Sequence, residues 1–290
     1  MALPLFDVNT IRILVLVAIA IIYAGYDLFN KRDIPDIVAY ASVAIGIAFT
    51  LTLGVQEMEY SALVAIIVGA LSYFLYRIGQ LGLGDGFEFV AISLLLPMQP
   101  APYLSSALQF NLPFILSVFI ATGIAAVILV PISYLSGYGK GALSLKGVHK
   151  NNFVKAAIML VAYAALFLFD AYLLGAGIAS MIVVALVAIP SAIMVLYEKR
   201  IMMQMVRSVY PKELDDGDII AIDLMSKGDI AYFRRRSRSF GRLATKGIIA
   251  RISNVKRKIP VYKNAIPLAF PTLIGVLVAL LFGNVLLYLV

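Results

Sequence analysis

Long apolar runs separated by short polar connections make up almost the whole chain. The runs are continuous in Leu, Ile, Val and Ala, without strict alternation of apolar and polar positions. This pattern predicts helices and excludes a closed membrane barrel. Because a helix needs about 20 apolar residues to span a bilayer, we expect about six to eight transmembrane helices. The runs lie at 10–28, 36–55, 61–81, 87–98, 112–134, 153–173, 177–197 and 264–290.

The composition agrees with membrane insertion. The 290 residues are 62% hydrophobic and 14% charged, and the mean hydropathy is +0.96, whereas a soluble domain has about 25% charged residues. The predicted fold class is therefore an all-α polytopic membrane protein. With no cysteine and the single histidine His149, thiolate catalysis, cysteine-ligated metals and multi-histidine sites are excluded, and we expect no cofactor.

One sizeable polar segment, residues 198–263, interrupts the apolar pattern. It contains sixteen Lys and Arg against seven Asp and Glu, a net charge of +9 in a chain whose total is +8. We predict a small α+β cytoplasmic insert between a transmembrane catalytic domain (1–197) and a final transmembrane helix (264–290). Its middle, "DGDIIAIDLMSKGDIAYF", predicts short strands joined by Gly-Asp turns.

The basic clusters of the insert predict a lipid partner. Arginines and lysines beside membrane helices attract anionic headgroups. No zinc knuckle, helix-turn-helix or RNA-recognition signature accompanies them, so no nucleic-acid partner is expected.

The orientation follows from the basic residues of the connections. Lysines and arginines occur in 29–36 and 136–152, whereas 55–61, 97–113 and 169–177 contain none. The positive-inside rule then places the N-terminus outside and the basic connections in the cytoplasm of a multi-pass cell-membrane protein.

Two aspartates fall at the same predicted cytoplasmic boundary. Asp27 closes the first apolar run in "IIYAGYDLFNKRDIPD", and Asp85 lies in "LGLGDG" ahead of the fourth. Ionisable groups at such positions are costly and point to function. Three other candidates are Arg77, Asp170 and Glu88. We interpret Arg77 as extending to the cytoplasmic interface and Asp170 as an interfacial residue on the opposite face.

A pair of carboxyl groups at one depth predicts aspartic-peptidase chemistry. Two carboxyls a few ångströms apart share one proton, because both cannot ionise easily. One then activates water as a base, and the other protonates the carbonyl oxygen and later the leaving amide. We therefore predict Asp27 and Asp85 as the catalytic dyad. Gly82, Gly84 and Gly86 are expected to adopt positive φ and to let a substrate strand approach closely.

The motif "LGLGD" with an earlier aspartate resembles the GxGD membrane aspartyl proteases. Presenilins and signal peptide peptidases share the motifs "YD" and "LGLGD" with this chain. Their dyad, however, comes late in the chain and is followed by a Pro-Ala-Leu motif. The sequence is more similar to type IV prepilin peptidases, particularly the archaeal preflagellin peptidases. The words that carry this resemblance are "DLFNKRDIPD" (27–36), "GLGDGFEFVAISLLLPMQP" (82–100) and, more weakly, "VYKNAIPLAFPTLIG" (261–275).

One position departs from that family pattern. Many members have a lysine two residues after the motif aspartate, where this chain has Phe87 followed by Glu88. The departure concerns the surroundings of the dyad and leaves both aspartates in place.

The resemblance implies an aspartic endopeptidase acting at the cytoplasmic membrane face. It would remove short basic leader peptides from precursors with class III signal peptides, either archaellins or type IV pilins. The acidic residues Asp33, Asp36 and Glu88 are our hypothesis for the groups that receive the leader's positive charges. Three alternatives stay open: a presenilin-like intramembrane protease, a proton-coupled transporter using the same aspartates, and an inactive scaffold.

Overall fold

The computed structural model describes residues 8–29, 34–97, 113–136, 144, 148–174, 177–262 and 268–283. Within these ranges the chain forms eleven α-helices and one two-stranded sheet. The helices are α1 (Val8–Phe29), α2 (Asp36–Leu51), α3 (Val55–Arg77), α4 (Leu83–Leu95), α5 (Ile115–Ser136), α6 (Lys150–Leu174), α7 (Ile178–Leu196), α8 (Glu198–Met205), α9 (Lys227–Arg236), α10 (Lys246–Ile252) and α11 (Ala269–Phe282). The strands β1 (Arg207–Val209) and β2 (Ile259–Val261) pair antiparallel, with Ser208 opposite Pro260.

Each of the eight apolar runs overlaps one of the helices α1–α7 or α11. Among the described residues, α1, α3, α5 and α6 are long and apolar enough to cross a membrane. The bent pair formed by α7 and α8, whose axes differ by 77°, passes the same test only when the two helices are taken together, as a broken span or a re-entrant loop. The prediction of an all-α polytopic membrane protein is confirmed. The expected number of six to eight spans is not reached among the described residues, where four or at most five candidates are long enough, because α2 and α11 are shorter apolar helices.

The short helix α4 lies against three neighbours, α1, α2 and α3. Helix α1 also packs against α11, and α11 packs against α5. Helix α7 contacts both α5 and α6. The core of this bundle is apolar and includes the fully buried Leu16, Ile92, Leu95, Val118 and Val276. The helix that contains Asp85 is therefore held from three sides.

Glycines allow the closest approaches between these helices. A Cβ at Gly275 of α11 would lie 2.6 Å from the backbone nitrogen of Thr122 in α5 and 2.9 Å from its Cα. A Cβ at Gly46 of α2 would lie 2.9 Å from the Cβ of Leu94 in α4. In lipid the hydrophobic effect does not drive helices together, so packing of this kind supplies much of the association energy.

The polar insert has a hydrophobic core of its own. Ile220, Phe233, Ile252 and Val261 are fully buried within it. It lies against the end of α3, because a Cβ at Gly79 would be 3.4 Å from the Cβ of Arg242. The insert therefore lies at the end of the bundle where α3 stops and "LGLGDG" begins.

The strand prediction for 216–233 is wrong for most of that segment. The predicted Gly-Asp turn is present at Asp216 and Gly217, where Gly217 has a positive φ. Only Ile219 and Ile220 form isolated bridges, and a turn of 3-10 helix at Ile222–Leu224 is followed by α9. The helix forms because the side chain of Ser226 accepts a hydrogen bond from the N–H of Asp229 at 3.0 Å, which caps its first turn. The two strands lie outside the segment, at β1 and β2.

Replacing Gly275 by alanine should destabilise the bundle. The new Cβ would overlap the Thr122 backbone, which does not move as a side chain does, so we expect a loss of about 1–3 kcal/mol in unfolding free energy. Gly123→Ala is the matched control, since Gly123 lies in the adjacent helix and a Cβ added there would meet nothing within 4 Å. Reversible unfolding in mixed micelles measures both variants, and equal stabilities would contradict the packing argument.

Candidate active site

Asp27 lies in the last turn of α1 and is buried, with 7% of its surface exposed. Its Oδ2 accepts a hydrogen bond from the N–H of Ala269 at 3.1 Å. Ala269 is the first residue of α11, and a helix N-terminus carries partial positive charge. The end of α11 therefore both positions Asp27 and stabilises negative charge on it.

Asp85 is the third residue of α4 and is half-buried. Its carboxylate accepts a hydrogen bond from the backbone N–H of Gly82, the residue that caps the helix. A carboxylate at the third helical position commonly bonds the cap residue in this way. The side chain is thus fixed at the N-terminus of its own helix.

The packing of α1 against α4 brings the two aspartates together at one end of the bundle. Their carboxyl groups are close enough for each charge to act on the other. They are 58 positions apart in sequence and come from antiparallel helices, so the pair exists only in the folded bundle. Two like charges at such a site favour a single negative charge shared between the groups.

Glu88 places a third carboxyl group at this end of the bundle. It lies one helical turn after Asp85, is fully buried, and is electrostatically coupled to both Asp85 and Asp27. Neither of its oxygens has a hydrogen-bond partner among the described residues. An ionised carboxylate in this environment is costly.

Tyr23, which the sequence analysis missed, belongs to the same neighbourhood. Its buried hydroxyl lies 2.8 Å from Ser42 Oγ, and Ser42 donates its own proton to the carbonyl of Ala39 at 2.8 Å. Tyr23 is therefore the donor to Ser42, and it is electrostatically coupled to Glu88 and Asp85. Its spacing in the sequence could have indicated this, since a residue four positions before Asp27 lies on the same face of the helix.

The expectation of positive φ at Gly82, Gly84 and Gly86 is wrong. Gly82 caps α4 with φ −71°, and the other two lie inside the helix; the positive-φ glycines of the described chain are Gly79, Gly217 and Gly283. The motif glycines instead provide room for neighbours. A Cβ at Gly84 would lie 3.1 Å from Ile34, and one at Gly86 would lie 3.1 Å from Ser72.

The remaining acidic candidates fall in different environments. Asp36 is the first residue of α2 and is exposed, whereas Asp33 lies outside the described residues. Phe87 packs edge-on against Tyr40, with ring centroids 5.3 Å apart. Within the described ranges no three His, Cys, Asp or Glu side chains are placed to hold a metal ion.

Comparison with known protein families relates the part of the chain that contains this site to one family. Residues 14–130 match the type IV leader peptidase family. Over this part of the chain the match confirms the resemblance to type IV prepilin peptidases and supports a peptidase of that type. The matched region, residues 14–130, contains both aspartates, Glu88 and Tyr23, while the insert and α11 lie beyond it. No curated protein and no solved structure matches the chain.

Gly82→Ala should lower peptide cleavage without unfolding the matched region. The added Cβ would lie 2.8 Å from Asp85 Oδ2, so the carboxylate must move, and a displacement of about 1 Å at a reacting group costs on the order of 100-fold in rate. Gly54→Ala is the matched control, because Gly54 caps α3 with nearly the same backbone angles and a Cβ there would meet nothing within 4 Å. Cleavage rates of the purified variants test this, and an equal effect at both glycines would contradict it.

Proposed function

We propose that this protein is a GxGD-type membrane aspartyl endopeptidase that removes short basic leader peptides from archaellin or type IV pilin-like precursors. Asp27 and Asp85 form its catalytic dyad. One observation carries the proposal: two carboxyl groups from α1 and α4 converge at one end of a helix bundle, inside the region that matches leader peptidases.

The reaction needs only the dyad and a water molecule. The ionised carboxylate accepts a proton from water as the water oxygen attacks the scissile carbonyl carbon, and the protonated partner donates to the carbonyl oxygen. The tetrahedral intermediate then breaks its C–N bond while the newly protonated aspartate protonates the leaving nitrogen, and the other aspartate takes a proton from a hydroxyl of the intermediate as the carbonyl re-forms. Water supplies the oxygen of the new C–O bond, and the dyad ends with one proton as it began.

The hydrogen bonds at the site suit a dyad whose members exchange these roles. Asp27 is held by the N-terminus of α11, and Asp85 by the N-terminus of α4. Since each carboxylate has a backbone N–H and a helix N-terminus behind it, negative charge is supported on either one. Each aspartate can therefore act as base in one half of the reaction and as acid in the other.

The distribution of basic residues supports a cytoplasmic location for the site. The basic insert lies at the bundle end where α3 stops and "LGLGDG" begins, and α1 ends at Phe29, next to the basic stretch containing Lys31 and Arg32. Because segments rich in lysine and arginine stay on the cytoplasmic side, the leader would be cut at that face.

Asp27→Asn and Asp85→Asn should each abolish leader release. Asparagine can neither accept nor donate the proton that the dyad transfers, so we expect a loss on the order of 100-fold or more, the contribution of general acid–base catalysis. Asp229→Asn in the insert is the control, since Asp229 is exposed and pairs with Arg257. Purified protein in lipid nanodiscs with a synthetic precursor gives the rates, and full activity in both dyad variants would refute the proposal.

Mapping the cleaved bond distinguishes leader removal from presenilin-like cleavage within the membrane. Mass spectrometry should find the cut at the boundary between the basic leader and the hydrophobic helix of the precursor. A cut in the middle of that helix would instead indicate a presenilin-like enzyme. Absence of leader release by the wild-type protein would leave the transporter and scaffold interpretations standing.

Asp36 is the proposed contact for a positively charged leader, because it is exposed at the start of α2. Asp36→Asn should lower kcat/KM by about 2–5-fold for a leader with lysines, the worth of an exposed ion pair, and leave a leader without lysines unaffected. Glu88→Gln tests the same role for the buried carboxyl. If neither variant, alone or together with Asp33→Asn, distinguishes the two leaders, the charge-recognition hypothesis is wrong.

A further inference from the structure

The backbone carbonyl groups at the C-terminal end of α4 require hydrogen-bond donors that the helix itself does not supply. With 13 residues, α4 is about 20 Å long, shorter than the hydrocarbon core of about 30 Å. Beyond its C-cap, Leu96, comes Pro97, which has no backbone N–H to continue the helix. The last carbonyl groups of a helix have no intrahelical donor, and lipid provides no water to replace one.

Arg12 supplies that partner from α1. Its Nη2 donates to the carbonyl oxygens of Leu94 at 3.2 Å and Leu96 at 3.3 Å. The positive guanidinium also lies at the negative end of the α4 dipole. Arg12 is 0% exposed, so this cation is wholly enclosed by the bundle.

Four helices meet at this arginine. The hydroxyl of Thr50 in α2 lies 3.2 Å from the same Leu94 carbonyl and 2.9 Å from the Gly46 carbonyl, so its one proton is shared between them. Glu57 of α3 lies 3.7 Å from Arg12 Nη1. With Arg12 on α1 and Leu94 on α4, the junction joins α1, α2, α3 and α4. An isolated buried cation is costly, and this junction offsets the cost with two carbonyls and a carboxylate.

The junction and the dyad lie at opposite ends of the same two helices. Arg12 and Asp27 are 15 residues apart on α1, which is about 22 Å along the axis. Leu94 and Asp85 likewise stand near the two ends of α4. A slip of α4 along α1 by two residues at the junction would move Asp85 by about 3 Å relative to Asp27.

We propose that Arg12 is a positioning residue of the peptidase, which holds α4 at a fixed depth along α1 and thereby sets how Asp85 faces Asp27. The proposal rests on the proposed function, in which these aspartates are the dyad. Because Arg12 lies near the opposite end of α1 from Asp27, its removal should lower kcat and leave KM nearly unchanged.

The kinetic test compares Arg12→Met, Arg12→Lys and Arg251→Met in nanodiscs, with the synthetic precursor as substrate. We expect kcat to fall at least tenfold in Arg12→Met with KM changed less than twofold. Lysine keeps a donor and the charge, so Arg12→Lys should recover much of the lost kcat. Arg251→Met, on an exposed residue of α10, is the matched control and should retain full activity.

A distance measurement tests the same idea without relying on activity. The chain has no cysteine, so spin labels attach only where cysteines are introduced, here at the exposed Phe29 and Leu83 at the dyad ends of α1 and α4. In the Arg12→Met background, pulsed electron paramagnetic resonance should show the Phe29–Leu83 distance shifted or broadened by about 3 Å, the displacement expected for a two-residue slip. In the Arg12→Lys background it should stay close to the parent distribution.

The outcomes separate the two proposals. An unchanged distance distribution in folded Arg12→Met, or unchanged kcat, overturns the positioning role. If Arg12→Met does not fold, the comparison passes to Arg12→Gln, whose shorter and uncharged side chain cannot bond both carbonyls, and to Thr50→Val. Normal kcat and a normal distance in both of these variants overturn the positioning role equally. Full activity in the Asp27→Asn and Asp85→Asn variants refutes the dyad, whereas the distance result stands independently of them.

Discussion

The bundle depends on one constraint: in lipid, the backbone groups at a helix end must find partners inside the protein. Three ionisable side chains meet that requirement here. Asp27 accepts from the first N–H of α11, Asp85 accepts from the N–H that precedes α4, and Arg12 donates to carbonyls at the other end of α4. The candidate catalytic groups are therefore also structural caps, which explains how two carboxylates are tolerated at the membrane.

This double role links geometry to charge. The hydrogen bond that orients each aspartate comes from the positive end of a helix, so orientation and stabilisation of negative charge arise from the same contact. Glu88 differs from both, because it is buried without a hydrogen-bond partner among the described residues. It adds to the electrostatic cost of the site but, among the described residues, caps no helix end. It also lies in the part of the motif where the chain departs from the family pattern.

The helices are held close by small residues at crossings where larger ones would overlap. Gly275 against Thr122, Gly46 against Leu94 and Gly86 against Ser72 are such crossings. Gly86 shows that the motif serves packing, since it lets α4 approach α3 one residue after Asp85. The insert adds a further contact near Gly79, whose positive φ ends α3 just before the motif.

The sequence by itself determined the class of protein, the approximate position of each apolar helix and the two aspartates of interest. These follow from local properties, namely runs of apolar residues, basic connections and a short motif, and a single helix needs nothing else to be recognised. It did not determine why the motif glycines are there, that Ser226 starts a helix where strands were expected, or that Tyr23 and Arg12 matter. Those features depend on contacts between residues far apart in the chain: Arg12 with Leu94, and Asp27 with Ala269. Only the tertiary structure decides such pairs, because a helix end in lipid takes its partner from whichever neighbouring helix lies beside it.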